Sequence, residues 1–191
     1  MPKRDDEYMA QRREKILDAA VTCMTRTGLT GLSTTAICEA ADISMGALYT
    51  HFATKDEILV GLAERAVQRR RETFSFETAA DMRSTLMDMT EQMGSKAAKE
   101  GTRVDVELFA ASYGDKRIAA ALEPLWDFSE LAKVLERLKS AGELRAEVNP
   151  KALAMAIESH LMGAMIFGFV GAGTPKIRRD AMALLLDNVI A

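Results

Sequence analysis

Three capping residues that stand close together constrain the fold of this chain more than any other feature of its sequence. Ser33, Ser44 and Thr54 each precede a short run of helix-forming residues, and Glu57 completes a capping box with Thr54. A hydroxyl in this position accepts a hydrogen bond from a free amide of the first helical turn, so each residue marks a helix start. The predicted helices cover about 34–41, about 45–52 and about 55–71.

Helical patterns continue through the rest of the chain, and no segment alternates with a period of two for long enough to indicate a strand. Apolar residues make up 48% of the chain and charged residues 28%, a globular composition that excludes a collagen-like or wholly disordered protein. We therefore predict an all-α protein of about nine helices. The other predicted helices cover 7–27, 79–99 with a break near Gly101, 103–113, 116–140 with a bend or restart at Pro124, 150–169 and 175–190.

The sequence predicts a reduced cytoplasmic protein that does not enter a membrane. Its two cysteines, Cys23 and Cys38, lie in apolar helical patterns, which favours buried thiols over a disulfide. Residues 1–15 are dense with charge and do not resemble a signal peptide. The most membrane-like stretch, 152–173, is interrupted by polar residues at 158–160, so we predict that it is a buried bundle helix.

Charge gives no general attraction for nucleic acid. The net charge is −3; residues 1–72 carry 11 Lys and Arg against 11 Asp and Glu, and residues 73–191 carry 14 against 17. If the chain binds DNA, local basic clusters must supply the attraction. The candidates nearest the N-terminus are Lys3, Arg4, Arg12, Arg13 and Lys15.

The segment 33–59, STTAICEAADISMGALYTHFATKDEIL, has the spacing of a DNA-binding helix-turn-helix. A short helix is followed by a three-residue turn at 41–43 and then by a second short helix. Small or branched apolar residues occupy the positions where the two helices must cross. Asp42 stands in the turn and tolerates the left-handed conformation better than most residues, so we predict a slightly strained turn.

The region 13–62 resembles the N-terminal domain of the TetR family of transcriptional regulators. Tyr49, His51, Phe52 and Lys55 reproduce the Y-x-H-F-x-x-K motif of that family, although Asp42 replaces the glycine that is usual in its turn. The remaining chain resembles the family only in outline.

The resemblance implies a three-helix DNA-binding domain at 1–54, a connecting helix at 55–78, and an effector-binding and dimerisation bundle at 79–191. It implies a ligand-responsive regulator, most often a repressor, that binds a palindromic operator as a homodimer and is released by a small hydrophobic effector. The alternatives are a helical-bundle enzyme and a small-molecule-binding protein without DNA binding. No nucleophile motif, metal set or suitably spaced pair of carboxylates supports an enzyme, and we expect no cofactor and no metal.

The resemblance also assigns the DNA-facing residues. Tyr49, His51 and Lys55 align with contacts to the phosphate backbone, and the hydroxyls that open the first helix of the motif suit a phosphate as well. The recognition helix contains no Arg, Lys, Asn or Gln for a bidentate base contact, so we expect readout through thymine methyl groups and DNA shape. The predicted DNA-binding residues are Ser33, Thr34, Thr35, Ser44, Met45, Gly46, Ala47, Tyr49, Thr50, His51 and Lys55.

The helix predicted over 150–169 is apolar on two sides and therefore needs two partners. One interpretation is a deep core within the chain, and the other is that one face meets its copy in a second subunit, which the family resemblance favours. We assign one stripe to the dimer and the other to the effector, although periodicity does not say which is which. The predicted dimer interface is Leu153, Ile157, Leu161, Ala164, Ala181, Leu184, Leu185 and Asn188.

Methionine is unusually frequent, with 12 residues in the chain. Flexible core filling, the lining of an adaptable hydrophobic effector pocket and a thioether copper(I) site are the three interpretations, and no Cys/His cluster with metal-ligand spacing supports the last. His160 is interpreted as a hydrogen-bonded bundle histidine, an effector contact or, least favoured, a catalytic residue. The predicted ligand-binding residues are Met89, Met93, Phe109, Tyr113, Trp126, Phe128, Met155, Ser159, His160 and Met162.

Overall fold

The structure, a computed structural model, describes residues 2–191, with side chains from Asp6 onward. The side chains of Lys3 and Arg4, named above as sources of positive charge, lie outside the described residues. Within this range the chain is all-α, apart from a single isolated bridge between Leu144 and Ile190. The helices are α1 Pro2–Thr27, α2 Thr34–Ala41, α3 Met45–His51, α4 Lys55–Thr73, α5 Ala79–Gln92, α6 Lys96–Ser112, α7 Lys116–Leu122, α8 Ser129–Ser140, α9 Pro150–Val170 and α10 Pro175–Leu186, with 3₁₀ turns at Leu29–Gly31 and Glu123–Leu125.

Contacts divide the chain into two compact units. The first unit contains residues up to Ala66 together with Arg103–Glu123, and the second unit contains Val67–Thr102 and Pro124–Ala191. This division differs from the predicted boundaries at 54 and 78, because the end of α6 and all of α7 pack with the helix-turn-helix. Two helices, α4 and α6, begin in one unit and end in the other.

The core of the first unit forms where α1 packs on α2 and α3. Its apolar side chains come from one face of α1 and from the positions where the two short helices cross. Arg13 lies over the ring of Phe52, with its guanidinium carbon 4.7 Å from the ring centroid. The fully buried members of this core include Leu17, Met24, Ile37, Leu48, Phe52, Ile58 and Leu108.

The core of the second unit lies among α5, α8, α9 and α10. Its members include one stripe of α9 and the buried faces of α5 and α8. Met82, Met87 and Met182 are buried in it, which supports the core-filling interpretation for these methionines. The other large members are Phe74, Phe76, Leu86, Leu131, Leu135, Leu138, Leu144, Leu153, Ile157, Leu161 and Leu186.

The predicted helix over 79–99 is wrong, because the chain breaks at Gly94 rather than near Gly101. Gly94 adopts φ 92°, α5 has already ended at Gln92, and Gly101 lies inside α6. Here α9 passes so close that a Cβ built on Gly168 would lie 2.7 Å from the backbone nitrogen of Gly94. The break coincides with this contact between helices distant in sequence, and it also has a local signal that the sequence prediction missed. Gly94 is followed by Ser95, whose Oγ accepts from the amide of Ala98 at 3.2 Å at the start of α6. The predicted helix over 116–140 likewise separates into α7 and α8, which settles the choice at Pro124 in favour of a restart.

A buried arginine holds the end of α5 to the connection between α9 and α10. Arg178 is only 7% exposed, and its guanidinium donates to the carbonyl oxygens of Gly173 at 2.9 Å, Ala172 at 3.2 Å, Thr90 and Met93. These oxygens stand at or just beyond the C-terminal ends of two helices, where the helix dipole favours a cation. The arrangement supplies a donor to carbonyl groups that have no partner within their own helices.

Candidate DNA-binding interface

Three hydroxyl caps place the short helices as the sequence predicts. Ser33 Oγ accepts from the amide of Ala36 at 3.1 Å, and Ser44 Oγ accepts from the amide of Ala47 at 3.1 Å. Thr54 Oγ1 accepts from the amide of Glu57 at 3.2 Å. Each cap satisfies an amide of its first helical turn, so the beginnings of α2, α3 and α4 are determined locally.

The turn between α2 and α3 is tight and closes on Asp42. This residue has φ 51° and ψ 58°, and it is the one non-glycine residue with positive φ among those described. Its amide donates toward the last carbonyl groups of α2, and the amide of Ile43 donates to Cys38 O at 3.1 Å. The prediction of a left-handed turn at an aspartate is confirmed.

The recognition helix α3 buries one side and exposes the other. Leu48 and the capping residue Phe52 are buried at 0% and 2% exposure. A Cβ built on Gly46 would meet nothing closer than Ser44 Oγ at 4.0 Å, so the surface there is open to close approach. The exposed side is formed by Ser44, Met45, Gly46, Ala47, Tyr49 and Thr50.

The other predicted DNA-facing residues divide by exposure. Ser33 and Thr35 are exposed at the start of α2, whereas Thr34 and His51 are half-buried. Tyr49 exposes half of its surface. The structure thus brings the caps of α2 and α3 and the phenol of Tyr49 within one compact unit.

Lys55 is placed differently from what the sequence suggests. It is half-buried, and its Nζ donates to the backbone carbonyl of Leu32 at 2.9 Å. Leu32 immediately precedes the Ser33 cap, so the lysine ties the start of α4 to the start of α2. Lys55 therefore has a structural contact within the chain, and the predicted phosphate contact would have to share its ammonium group with Leu32.

The basic residues of α1 are partly engaged within the chain. Arg13 donates to Glu64 at 3.2 Å while it lies over Phe52, and Arg12 donates to the hydroxyl of Tyr8 at 2.9 Å. Lys15 is exposed. The cationic cluster predicted on this helix therefore has less free charge to offer DNA than its composition suggests.

Both cysteines lie in the same unit and are buried thiols. Cys23 Sγ donates to Ala36 O at 3.5 Å, and Cys38 Sγ lies 3.7 Å from the sulfur of Met45. Burial raises the pKa of each thiol above its ordinary value, which disfavours the reactive thiolate.

The predicted ligand-binding residues belong to both compact units. Phe109 and Tyr113 form an edge-on pair, 5.5 Å between ring centroids, in the first unit, where Tyr113 is 83% exposed. The others belong to the second unit. There Met89, Met93 and Phe128 are partly buried against the core, Trp126 is 45% exposed, and Met155, Ser159 and Met162 lie on the outer side of α9.

Four of the predicted dimer residues are core residues of the single chain. Leu153, Ile157, Leu161 and Ala164 are at most 6% exposed, so they have no surface left for a second subunit, and that prediction is wrong for them. Of the predicted residues of α10 and its end, Leu184 and Asn188 are exposed, while Ala181 and Leu185 are half-buried. The reason is that α9 is apolar on both sides, and packing within the chain used the stripe that periodicity could not distinguish.

The opposite side of α9 carries an exposed apolar stripe, which we call the outer face. Met155, Met162, Phe167 and Val170 are 59%, 45%, 58% and 66% exposed, and Ile166 lies between them. On α10, Ile177 and Leu184 are 60% and 70% exposed, and we include these two residues in the outer face. By length and composition alone α9 could also cross a membrane, but its other stripe belongs to the core of the second unit.

Sequence reasoning missed a partly buried ion pair in the second unit. Arg70 of α4 donates to the carboxylate of Glu158 on α9 and to Pro124 O at 3.4 Å, and it lies over the rings of Phe74 and Phe128. Burial raises the pKa of Glu158, while the hydrogen bond and charge of Arg70 oppose that shift. The run of three arginines at 69–71 indicates a solvated surface, so only the packing identifies Arg70 as the inward member.

A second buried polar atom lies on the same helix. His160 Nε2 is buried without a hydrogen-bond partner among the described residues. Because His160 and Glu158 are two residues apart on a helix, they point in different directions and do not form one pair. The interpretation of His160 as a hydrogen-bonded bundle histidine does not account for Nε2, because this atom has no partner among the described residues.

Comparison with known proteins gives the same family along the whole chain. The family model for bacterial regulatory proteins of the tetR family matches residues 16–62. The HTH-type transcriptional repressor Rv1474c of Mycobacterium tuberculosis is 32% identical over 190 residues, which cover 100% of this chain and 98% of that protein. The repressor AcnR of Corynebacterium jeikeium is 26% identical over 175 residues, 86% of this chain and 85% of that protein.

A solved structure agrees in fold. FadR from Bacillus subtilis, in complex with stearoyl-CoA, superposes with a TM-score of 0.67 at 18% identity and covers 92% of this chain and 98% of its own. At this identity the likeness extends to the arrangement of helices alone.

Proposed function

This chain belongs to the TetR family of bacterial transcriptional regulators, and we propose that it is a cytoplasmic homodimeric repressor that leaves a palindromic operator when a small molecule binds. Family membership makes the chain a transcriptional regulator and not an enzyme. The observation that carries the proposal is the exposed side of α3, capped by Ser44 and supported from behind by the buried Leu48 and Phe52. The repressors Rv1474c and AcnR, which resemble this chain over most of their lengths, support the sign of regulation.

In this proposal α3 enters the major groove and the residues around it hold the phosphate backbone. The exposed phenol of Tyr49 donates to a phosphate oxygen, and the hydroxyl and amides at the start of α2 suit another. The methyl-bearing side chains of Ala47 and Thr50 meet thymine methyl groups, and Gly46 permits close approach. DNA shape supplies the remaining specificity, because the recognition helix offers no bidentate side chain.

The outer face supports the homodimer. A row of large apolar side chains that are each more than a third exposed is costly in water, and a self-complementary copy would cover it. The outer face includes residues of both helices: Met162 and Ile166 belong to α9, and Ile177 and Leu184 belong to α10. A two-fold axis through this surface would relate two recognition helices, hence the palindromic operator.

The second unit is the proposed effector site. FadR from Bacillus subtilis, which shares the arrangement of helices, was solved with stearoyl-CoA, and this supports a small hydrophobic effector for the present chain. The partly buried Met89, Met93 and Phe128 supply adaptable apolar surface, and Nε2 of His160 supplies an unused polar group. Release requires the effector to bind the conformation that does not hold DNA more tightly than the one that does.

The experiment that tests DNA binding is selection of duplexes from a random pool, followed by affinity measurements on the enriched sequence. We expect a palindrome to be enriched. Tyr49→Phe should bind this duplex and a scrambled duplex more weakly by similar factors, because a phosphate contact carries no sequence information. Tyr113→Phe, which removes a hydroxyl from another exposed tyrosine, is the matched control and should bind as the wild type does. A pool with no enriched sequence would contradict the proposal.

The assembly is tested by charge insertion on the outer face. Leu184→Arg should convert the dimer to a monomer, because a buried unpaired charge would lie at a self-complementary surface. Ser140→Arg places the same charge at an exposed position on α8 and should leave the dimer intact. Light scattering measures the mass of both variants, and a dimeric Leu184→Arg protein would remove the outer face as the interface.

A further inference from the structure

The C-terminal part of α6 is bound to the corner between α1 and α2, although it lies outside the helix-turn-helix in sequence. The helix α6 begins in the second unit, and from Arg103 onward it belongs to the first. Two of its side chains, Arg103 and Glu107, contact the backbone at this corner. We call this pair the α6 clamp.

The α6 clamp matches the backbone groups that the corner leaves without partners. The guanidinium of Arg103 donates to Thr25 O at 3.1 Å, in the last turn of α1, where carbonyl groups point out of the helix end. The carboxylate of Glu107 accepts from the amide of Leu29, the first residue of the 3₁₀ turn. The two side chains also bind each other, with Arg103 Nε donating to Glu107 Oε1 at 3.1 Å. The cationic side chain therefore binds the carbonyl group at the end of α1, and the anionic side chain binds the amide at the start of the 3₁₀ turn.

Gly28 shows how closely the α6 clamp is fitted to the backbone. The residue adopts φ 73°, and a Cβ built on it would lie 3.2 Å from Glu107 Oε1 and 3.3 Å from Arg103 Nη2. A side chain at this position would be strained by the backbone angle and would press on both members of the pair. The corner thus has a glycine where the chain turns and where the α6 clamp approaches.

The corner leads within four residues to groups that face DNA. The 3₁₀ turn that begins at Leu29 ends at Gly31, and the next residue, Leu32, is 3% exposed. The carbonyl of Leu32 accepts from Lys55 Nζ at 2.9 Å, and Ser33 then caps α2. A displacement of Leu29 would therefore move the start of α2 and, through Lys55, the start of α4.

We infer that Glu107 and Arg103 are positioning residues for operator binding, which hold the starts of α2 and α4 in the orientation that DNA requires without touching DNA themselves. The inference rests on the proposed function, since it presumes an operator. It extends the DNA-binding machinery beyond residues 16–62, which the family model matches, to a helix that begins in the second unit.

The test compares three variants on the duplex that the wild-type protein selects from a random pool. Glu107→Ala removes the acceptor for Leu29, and we expect operator affinity to fall at least about tenfold, the size typical of losing a charge-assisted hydrogen bond. Glu107→Gln keeps an amide oxygen that can accept from Leu29, so its affinity should stay within about threefold of wild type. Glu100→Ala changes an exposed glutamate on the same helix and should have no effect.

Two further measurements separate positioning from contact and from loss of fold. The slope of log affinity against log salt should be the same for Glu107→Ala and wild type, because no phosphate contact is removed. Hydrogen exchange at the amide of Leu29 should be faster in Glu107→Ala than in Glu107→Gln. If Glu107→Ala does not fold, Arg103→Met, which removes the donor to Thr25 and retains the side-chain stem, should weaken operator binding with an unchanged slope.

The outcomes that overturn the inference are distinct. A folded Glu107→Ala protein with faster exchange at Leu29 and wild-type affinity would show that the α6 clamp does not position the DNA-facing helices. Equal losses of operator affinity in Glu107→Gln and Glu107→Ala would also overturn it. If Glu107→Ala does not fold, wild-type operator affinity of Arg103→Met would overturn it instead. If the wild-type protein selects no duplex, the proposed function itself fails and this inference fails with it.

Discussion

The helix-turn-helix segment and helix α9 are both apolar and helical, yet they depend on different kinds of information. In the segment 33–52, each helix begins at a hydroxyl cap and the turn closes on a residue that tolerates positive φ. Its bounds follow from groups a few residues apart. Helix α9 is apolar on two sides, and the chain buries one side while it exposes the other. Local signals decide where a helix begins, whereas only its neighbours decide which way it faces.

Substitutions on the two sides of α9 should give the largest difference. Ile157 is fully buried and Met162 is 45% exposed. Ile157→Ala should lower the free energy of unfolding by about 2–5 kcal/mol, through lost burial and a remaining cavity. Met162→Ala should cost the single chain little and should instead weaken the dimer.

Urea denaturation at several protein concentrations and sedimentation of each variant measure these two effects separately. A larger loss of chain stability in Met162→Ala than in Ile157→Ala would reverse the assignment of the two faces.

The crossing of α9 over Gly94 comes next in size. A Cβ built on Gly168 would lie 2.7 Å from Gly94 N and 2.9 Å from Met93 C, so Gly168→Ala must displace backbone and should cost about 1–3 kcal/mol. Gly101→Ala is the matched control, since no atom lies within 4 Å of its built Cβ. In a helix interior that change should stabilise the protein by up to about 1 kcal/mol.

Thermal and urea unfolding check both glycine variants. Stabilisation by Gly168→Ala would contradict the close approach of α9 to the backbone at Gly94.

Lys55 tests whether the helix-turn-helix is determined only locally. Lys55→Met removes a hydrogen bond to Leu32, 23 residues away, and should cost about 1 kcal/mol of stability. If the ammonium also meets a phosphate in each subunit, the slope of log affinity against log salt should fall by about 0.9 per site.

Stability measurements and DNA binding at several salt concentrations answer the two questions independently. Unchanged stability would show that the bond to Leu32 has no net value, and an unchanged slope would make Lys55 a positioning residue only.

The Ser44 cap should have a smaller and more local effect. Ser44→Ala removes the acceptor for the amide of Ala47 and should lower stability by about 1 kcal/mol. Thr50→Ala, on the same helix, removes only a bond from the hydroxyl to Gly46 O and should change stability by less. Chemical denaturation gives both values, and equal losses would mean that the cap does not set the start of α3.

Glu158 offers the smallest effect, a pH dependence confined to the second unit. Burial raises its pKa above the ordinary value of 4.5, so the folded state holds the proton more tightly than the unfolded state does. The stability that this group contributes is complete below about pH 4.5 and is lost as pH rises through the folded pKa. Glu158→Gln cannot titrate at this position. The unfolding free energy of the wild type, minus that of the variant, should therefore fall as pH rises over that range. A difference that is constant with pH would contradict the shift.

Sequence by itself determined the all-α fold, the family, the caps at Ser33, Ser44 and Thr54, and the left-handed turn at Asp42. Each of these depends on residue type and on neighbours a few positions away, which the chain carries with it into any fold. The tertiary structure decided the close crossing of α9 over Gly94, the inward stripe of α9, the pairing of Arg70 with Glu158 and the attachment of α6 to the corner at Gly28. These depend on which surfaces, distant in sequence, pack together. A helix that is apolar on two sides, or a run of three arginines, is compatible with more than one packing arrangement.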